Sequence, residues 1–188
     1  MKNLLPFLSF FLCINLCNAQ VLRTGTSSND FTSGVARVVQ DFSNNYWRIQ
    51  AEALPADEHR SVYRSSVSLP GSLQNVIYRF NSVEDTTASW QSVLFSGEGF
   101  ENAVKVYKNA CRYLGKTRIQ FPSGAAGFSG KIIDPDPSLN FTSSLFRLDS
   151  EEPAYRNFYA EIEIINTGIE SWDVQLNLHS RKEDTERY

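Results

Sequence analysis

Cysteine is nearly absent from this chain, and what there is sits mostly in one place. Two of the three cysteines, Cys13 and Cys17, fall inside the first twenty residues, leaving Cys111 alone in the rest. A lone thiol cannot close an internal disulfide, so a covalent cross-link is excluded as the staple of the fold, which must hold through its core. Histidine is as scarce, with only His59 and His179. Zinc needs three or four clustered nitrogen or sulfur ligands, so these scattered residues point to no metal site. Positive charge of the kind that reads nucleic acid is missing too. The net charge is −3 with acids and bases interspersed and no basic stripe, so no nucleic-acid partner is expected. Beyond residue 20 there is no apolar run near the roughly 20 residues a membrane helix needs, so no transmembrane segment is expected in the mature chain.

The one long apolar run, Leu4 to Leu16, follows Lys2 and is followed by Cys17-Asn18-Ala19. A short basic region, a hydrophobic stretch too short to span a bilayer and a small residue at the cut predict a signal peptide over 1–19. The expected product is a secreted or periplasmic, cell-envelope protein starting at Gln20. Lipid attachment at Cys17 is the competing reading, disfavoured by the bulky Leu16 before it. The rest reads as one globular α+β domain over 20–180, long enough for a single core. Residues 181–188 mix both charge signs without an apolar period and read as a flexible, solvated tail.

Two amphipathic helices are predicted. Phe31, Val35, Val38, Val39, Phe42 and Tyr46 have helical spacing, with Asn29 or Asp30 as cap. A second helix from Phe100 to Leu114 carries Ala103, Val104, Tyr107 and Cys111 on one face, with Gly115 expected to end it in a left-handed turn. Short β-branched and aromatic runs read as strands at 47–54, 62–69, 75–80, 88–95, 117–121, 141–148, 158–165 and 172–179. In the last two, apolar and polar residues alternate, the mark of half-buried antiparallel strands. The fold expected is therefore α+β, a predominantly antiparallel sheet with the two amphipathic helices packed on one face. Arg-Ile-Gln follows each helix, at 48–50 and 118–120. That recurrence fits either two tandem α-β-β-β units or a chance match.

The motif lookalikes fail on spacing. Ser123-Gly-Ala-Ala-Gly-Phe-Ser-Gly-Lys131 resembles a phosphate-binding loop. It has Ala125 where the first Gly belongs, Ile132 where Ser or Thr belongs, and no helix after it, so it reads as a loop between strands. Gly97-Glu-Gly-Phe-Glu-Asn102 ends in Asn102 instead of Gly and would set Glu98 and Glu101 against a pyrophosphate. Asp134-Pro-Asp136-Pro-Ser138 lacks the Gly and Glu of a calcium loop, having Leu139 and Leu145 there, and reads as a rigid surface turn. No cofactor is expected. Cys111 on an apolar stripe reads as a buried hydrophobe, and Gly127-Phe-Ser129-Gly-Lys131 is no nucleophile elbow, so no catalytic residue is assigned.

What remains is a surface. Tyr159, Glu161 and Glu163 on one strand and Gln175, Asn177 and His179 on the next share the outward side of a hairpin. This aromatic, acidic and amide mixture suits hydrogen bonding to a protein or a small ligand, and these six residues are the candidate binding face. The leading functional expectation is an exported, non-catalytic binding module. The alternatives are a secreted hydrolase acting on glycans or peptides through Glu161 or Glu163, whose Cα atoms lie roughly 7 Å apart on a strand, and a lipid-anchored envelope component.

Overall fold

A computed structural model describes residues 27–56, 58–80 and 86–181. The proposed signal peptide, Cys17 and the tail after Arg181 lie outside the described residues. The order is α1 (Ser28–Asp41), a 3-10 turn (Phe42–Asn44), β1 (Gln50–Leu54), β2 (Arg60–Ser65), β3 (Gln74–Phe80), β4 (Ser89–Glu98), α2 (Phe100–Lys116), β5 (Arg118–Phe121), β6 (Gly124–Gly130), β7 (Phe141–Asp149), a second 3-10 turn (Pro153–Tyr155), β8 (Phe158–Gly168) and β9 (Ser171–Ser180). The nine strands form one antiparallel sheet in the order β1-β2-β3-β4-β9-β8-β7-β6-β5. Both chain halves thus meet at the β4–β9 pair and step outward from it. The class is α+β, as the alternating patterns predict.

The helices share one face of the sheet. Phe31, Val35, Val38 and Val39 of α1 and Ala103, Tyr107, Cys111 and Leu114 of α2 enter the same core as Ile77, Trp90, Ile162, Leu176 and Leu178. Trp90 is fully buried between them. Burying a side chain of this class contributes about 1.5–3 kcal/mol, so this one layer of contacts supplies the cohesion of the described residues, where Cys111 is the only cysteine. The register carries the alternation across strands: Ile77 faces Trp90, Trp90 faces Leu178, and Leu178 faces Ala160, all inward.

Several local expectations are corrected. The cap of α1 is Ser27, whose hydroxyl accepts from the Asn29 N–H, and the helix stops at Asp41. Asn45 and Tyr46, expected at the helix end, instead take left-handed conformations, with φ of 52° and 61°. Gly115 does not end α2 in a left-handed turn. The helix runs through it to Lys116 and stops because Thr117 turns extended while its N–H still reaches the Leu114 carbonyl. The stretch read as a loop at 123–131 is mostly strand β6, with Ala126 and Phe128 buried on alternate positions. Neighbours on both sides supply ladder partners, and that tertiary context overrides the poor strand propensity of Gly, Ala and Ser.

Candidate functional site

The six candidate residues do come together on the sheet face away from the helices. Their strands interleave them with core residues: Phe158, Ala160, Ile162 and Ile164 of β8 are buried inward, so Tyr159, Glu161 and Glu163 must point out, and β9 does the same. In register, Tyr159 faces His179, Glu161 faces Asn177, and Glu163 faces Gln175. All six are half-buried, because each is shielded by side chains two residues along its strand and directly across.

A hydrogen-bonded ladder ties part of this set to the neighbouring strands. The Tyr78 hydroxyl donates to Gln91 Oε1 at 3.1 Å. Gln91 Nε2 donates to Gln175 Oε1 and to Asn177 Oδ1, each at 2.9 Å. Asn177 Nδ2 donates to Glu163 Oε2 at 2.8 Å. From Tyr78 on β3 through Gln91 on β4 and Asn177 on β9, the donors run one way to the Glu163 carboxylate on β8, with Gln175 as a side branch. Such a chain is self-polarising and holds its amides in one orientation. Gln91 uses both amide hydrogens and its carbonyl inside the ladder. The remaining Gln175 N–H groups, one Asn177 N–H and Glu163 Oε1 carry none of these ladder bonds, which leaves a fixed donor and acceptor pattern facing outward.

Tyr78 and Gln91 were not among the expected site residues. The signal for Gln91 was there, since Ser89, Gln91 and Val93 alternate with buried Trp90, Ser92 and Leu94. What one strand's pattern does not contain is which strand lies beside it. The pairing of β4 with β9 put Gln91 beside Asn177, 86 residues later.

Two members titrate abnormally. Burial, reinforced by the like charge of Glu161, pushes the Glu163 carboxyl up from its usual range, against the Asn177 hydrogen bond that pulls it down. Burial lowers His179, helped by Arg181 and opposed by Glu161. His179 Nε2 is buried with no hydrogen-bond partner among the described residues. The guanidinium of Arg181 lies 6.0 Å from the centre of the Tyr159 ring, a cation–π contact at the rim of the face.

These directions make a pH prediction. A carboxyl raised on folding binds its proton more tightly in the native state, so its contribution is best below about pH 4 and is lost as pH rises through the shifted value. Glu163→Gln should therefore stabilise the protein at pH 7, by about 0.5 kcal/mol once solvent screening of a half-exposed group is allowed for, and do nothing at pH 3.5. Urea midpoints of the two proteins at both pH values check it. An advantage that persisted at pH 3.5 would assign the gain to packing instead of charge.

Other sequence candidates are spent elsewhere. Cys111 is buried at 1% exposure, and burial raises its thiol to about 12, far from a neutral-pH nucleophile. In the Asp-Pro turn, Asp136 Oδ1 accepts from the Ser138 hydroxyl at 2.7 Å, and Asp134 Oδ1 pairs with Lys108 Nζ at 2.7 Å. No group of three or more metal-binding side chains is assembled among the described residues. No described helix is long and apolar enough to cross a membrane. A depression of about 200 Å³ lies at the β5–β6 turn, lined by Ser123, Gly124, Ala125, Asp149 and Glu151, away from the ladder. No protein-family model matches the chain, and no curated protein or solved structure matches it.

Proposed function

We propose that the protein is an exported, non-catalytic binding module that engages a polar partner, protein or small ligand, through the helix-free face of its sheet. The observation that carries this reading is the ladder from Tyr78 to Glu163. A surface meant only to be wetted has no need of side chains locked together across four strands, whereas a recognition surface gains by having its side-chain entropy lost before the partner arrives. Glu161 and Glu163 are neighbours on one strand and point the same way. Paired acids that flank a glycosidic bond approach from opposite walls, so this placement favours binding over glycan hydrolysis.

The test is comparative capture from the native envelope or culture medium. The mature wild-type chain, a Gln175→Ala/Asn177→Ala variant and a control variant on the exposed face of α2, Lys105→Ala, serve as baits. A partner that binds wild type and control but loses at least tenfold in affinity for the ladder variant supports the reading. A partner held equally by all three would move the binding surface elsewhere and sink it.

A further inference from the structure

We propose that residues 131–140, the link between β6 and β7, form a strap that opens locally while the sheet stays folded, and that its opening unmasks a cluster of Cys111, Tyr107 and Ser144. The attachment is a closed ring of three hydrogen bonds. The Ile133 N–H donates to Ser144 Oγ at 2.8 Å, Ser144 Oγ and Tyr107 Oη are 2.6 Å apart, and Tyr107 Oη donates to the Ile133 carbonyl at 3.1 Å. One proton arrangement satisfies all three: the Ser144 hydroxyl gives its hydrogen to Tyr107, which gives its own to Ile133. Both main-chain groups of one strap residue are thus held by two side chains rooted in β7 and α2. Cys111 follows Tyr107 by one helical turn on the same buried face of α2, so the ring that holds the Ile133 peptide group is anchored on the thiol's neighbour.

Outside the ring, and apart from the Asn166 N–H that donates to the Asn140 carbonyl at 2.8 Å where the strap enters β7, the strap is lightly held. One ion pair, Lys108 to Asp134, fastens it to α2, and both side chains are solvent-exposed, at 41% and 83%. The strap's larger apolar side chains, Ile132, Ile133 and Leu139, are 39%, 42% and 53% exposed. Opening therefore forfeits little apolar burial, the condition for local opening at lower cost than global unfolding. Pro135 and Pro137 fix two backbone angles, and the Ser138 N–H and hydroxyl both bond Asp136 Oδ1, so the segment moves as a stiff body. The closed state keeps burial pressed on the thiol. The open state returns it to water and to ordinary thiol acidity, where the thiolate fraction at pH 8 is far larger. The only free cysteine among the described residues is then reactive when the strap is up and silent when it is down.

The test is disulfide exchange with DTNB. The Cys111 thiolate attacks one sulfur of the reagent, a mixed disulfide forms, one thionitrobenzoate leaves and is counted by absorbance, and the thiol proton goes to buffer. Under conditions where closing outpaces attack, the rate reports the opening equilibrium. Lys108→Ala and Asp134→Ala should each accelerate labelling about 2- to 5-fold, the factor that corresponds to one exposed ion pair, with urea midpoints unchanged. Tyr107→Phe, which keeps the ring and removes one donor, should accelerate it about tenfold. Ile77→Val, in β3 and remote from the strap, should lower the urea midpoint without changing the rate. If Ile77→Val speeds labelling in proportion to the stability it loses, while the two latch variants leave the rate unchanged, the thiol is reached only through global unfolding and no strap opens.

Discussion

Replacing Asp41 by Ala should cost about 3 kcal/mol of stability, among the largest effects of any polar substitution in the described chain. The reason lies in how the chain leaves α1. To reach the edge of the sheet the backbone reverses through two consecutive left-handed residues, Asn45 and Tyr46, neither of them glycine. Each such residue costs roughly 1–2 kcal/mol in backbone sterics. The reversal persists because its surroundings over-determine it. Asp41 Oδ2 accepts from the Arg48 and Ile49 N–H groups at 3.1 and 3.2 Å, and Oδ1 accepts from Asn44 Nδ2 at 3.2 Å. Asn45 Oδ1 accepts from the Ala88 N–H at 2.7 Å, and the buried Tyr46 hydroxyl donates to the Leu178 carbonyl at 3.2 Å. Arg79 donates to the Asn45 carbonyl at 2.7 Å while its guanidinium stacks 3.6 Å above the Trp47 ring.

Deleting the Asp41 carboxylate strands two backbone donors where water cannot fully replace it, and asks the remaining bonds to hold the strained turn. Asp41→Asn keeps one acceptor oxygen and should lose about half as much. Urea unfolding gives the totals, and amide exchange at residues 48 and 49 shows whether the loss begins at the turn. A loss under about 0.5 kcal/mol for Asp41→Ala would mean that the turn does not depend on this carboxylate.

Asp41 also shows where sequence reading stops. The apolar period of α1 was legible, because Phe31, Val35, Val38 and Val39 repeat at the spacing of a buried stripe. That same period carried on through Phe42 and Tyr46, and both are indeed buried, but through a 3-10 turn and a left-handed pair. Burial was readable there and conformation was not, since what bends the chain is a side chain reaching seven and eight residues forward. The β8–β9 face was legible because period-2 alternation is local, and the antiparallel class followed from it. The ladder's far half was not, because Tyr78 and Gln91 join it only through strand neighbours fixed by the whole sheet. A tandem origin of the two halves stays a proposal. It is supported by Ile49 and Ile119 of the repeated Arg-Ile-Gln, both buried and both at the entrance to an edge strand, β1 and β5. Against it, the second half carries one strand more than the first.

The clearest test of the corrected stretch at 123–131 is one chemical change made at two glycines with opposite expected outcomes. Gly130 ends β6 opposite Phe146 of β7. A Cβ there would run into the Leu145 carbonyl oxygen and lie 2.9 Å from the Phe146 Cα, both backbone atoms, and 2.7 Å from Phe146 Cδ1. Backbone in a paired strand cannot step aside without parting the ladder, so Gly130→Ala should destabilise by about 3 kcal/mol, at the upper end of overpacking costs. Gly115 stands in the last turn of α2 with nothing within 4 Å of the same Cβ. There the methyl group only narrows the unfolded ensemble and improves helix propensity, so Gly115→Ala should stabilise by about 0.5–1 kcal/mol. For a chain of this length the pair should separate in Tm by roughly 7–16 °C. Were residues 124–130 a mobile loop instead of a strand pressed against β7, Gly130→Ala would be near neutral and only the Gly115 gain would appear. The close approach at Gly130 is thus what this glycine is for: it lets the end of β6 lie against β7, a packing role that neither phosphate nor hinge requires.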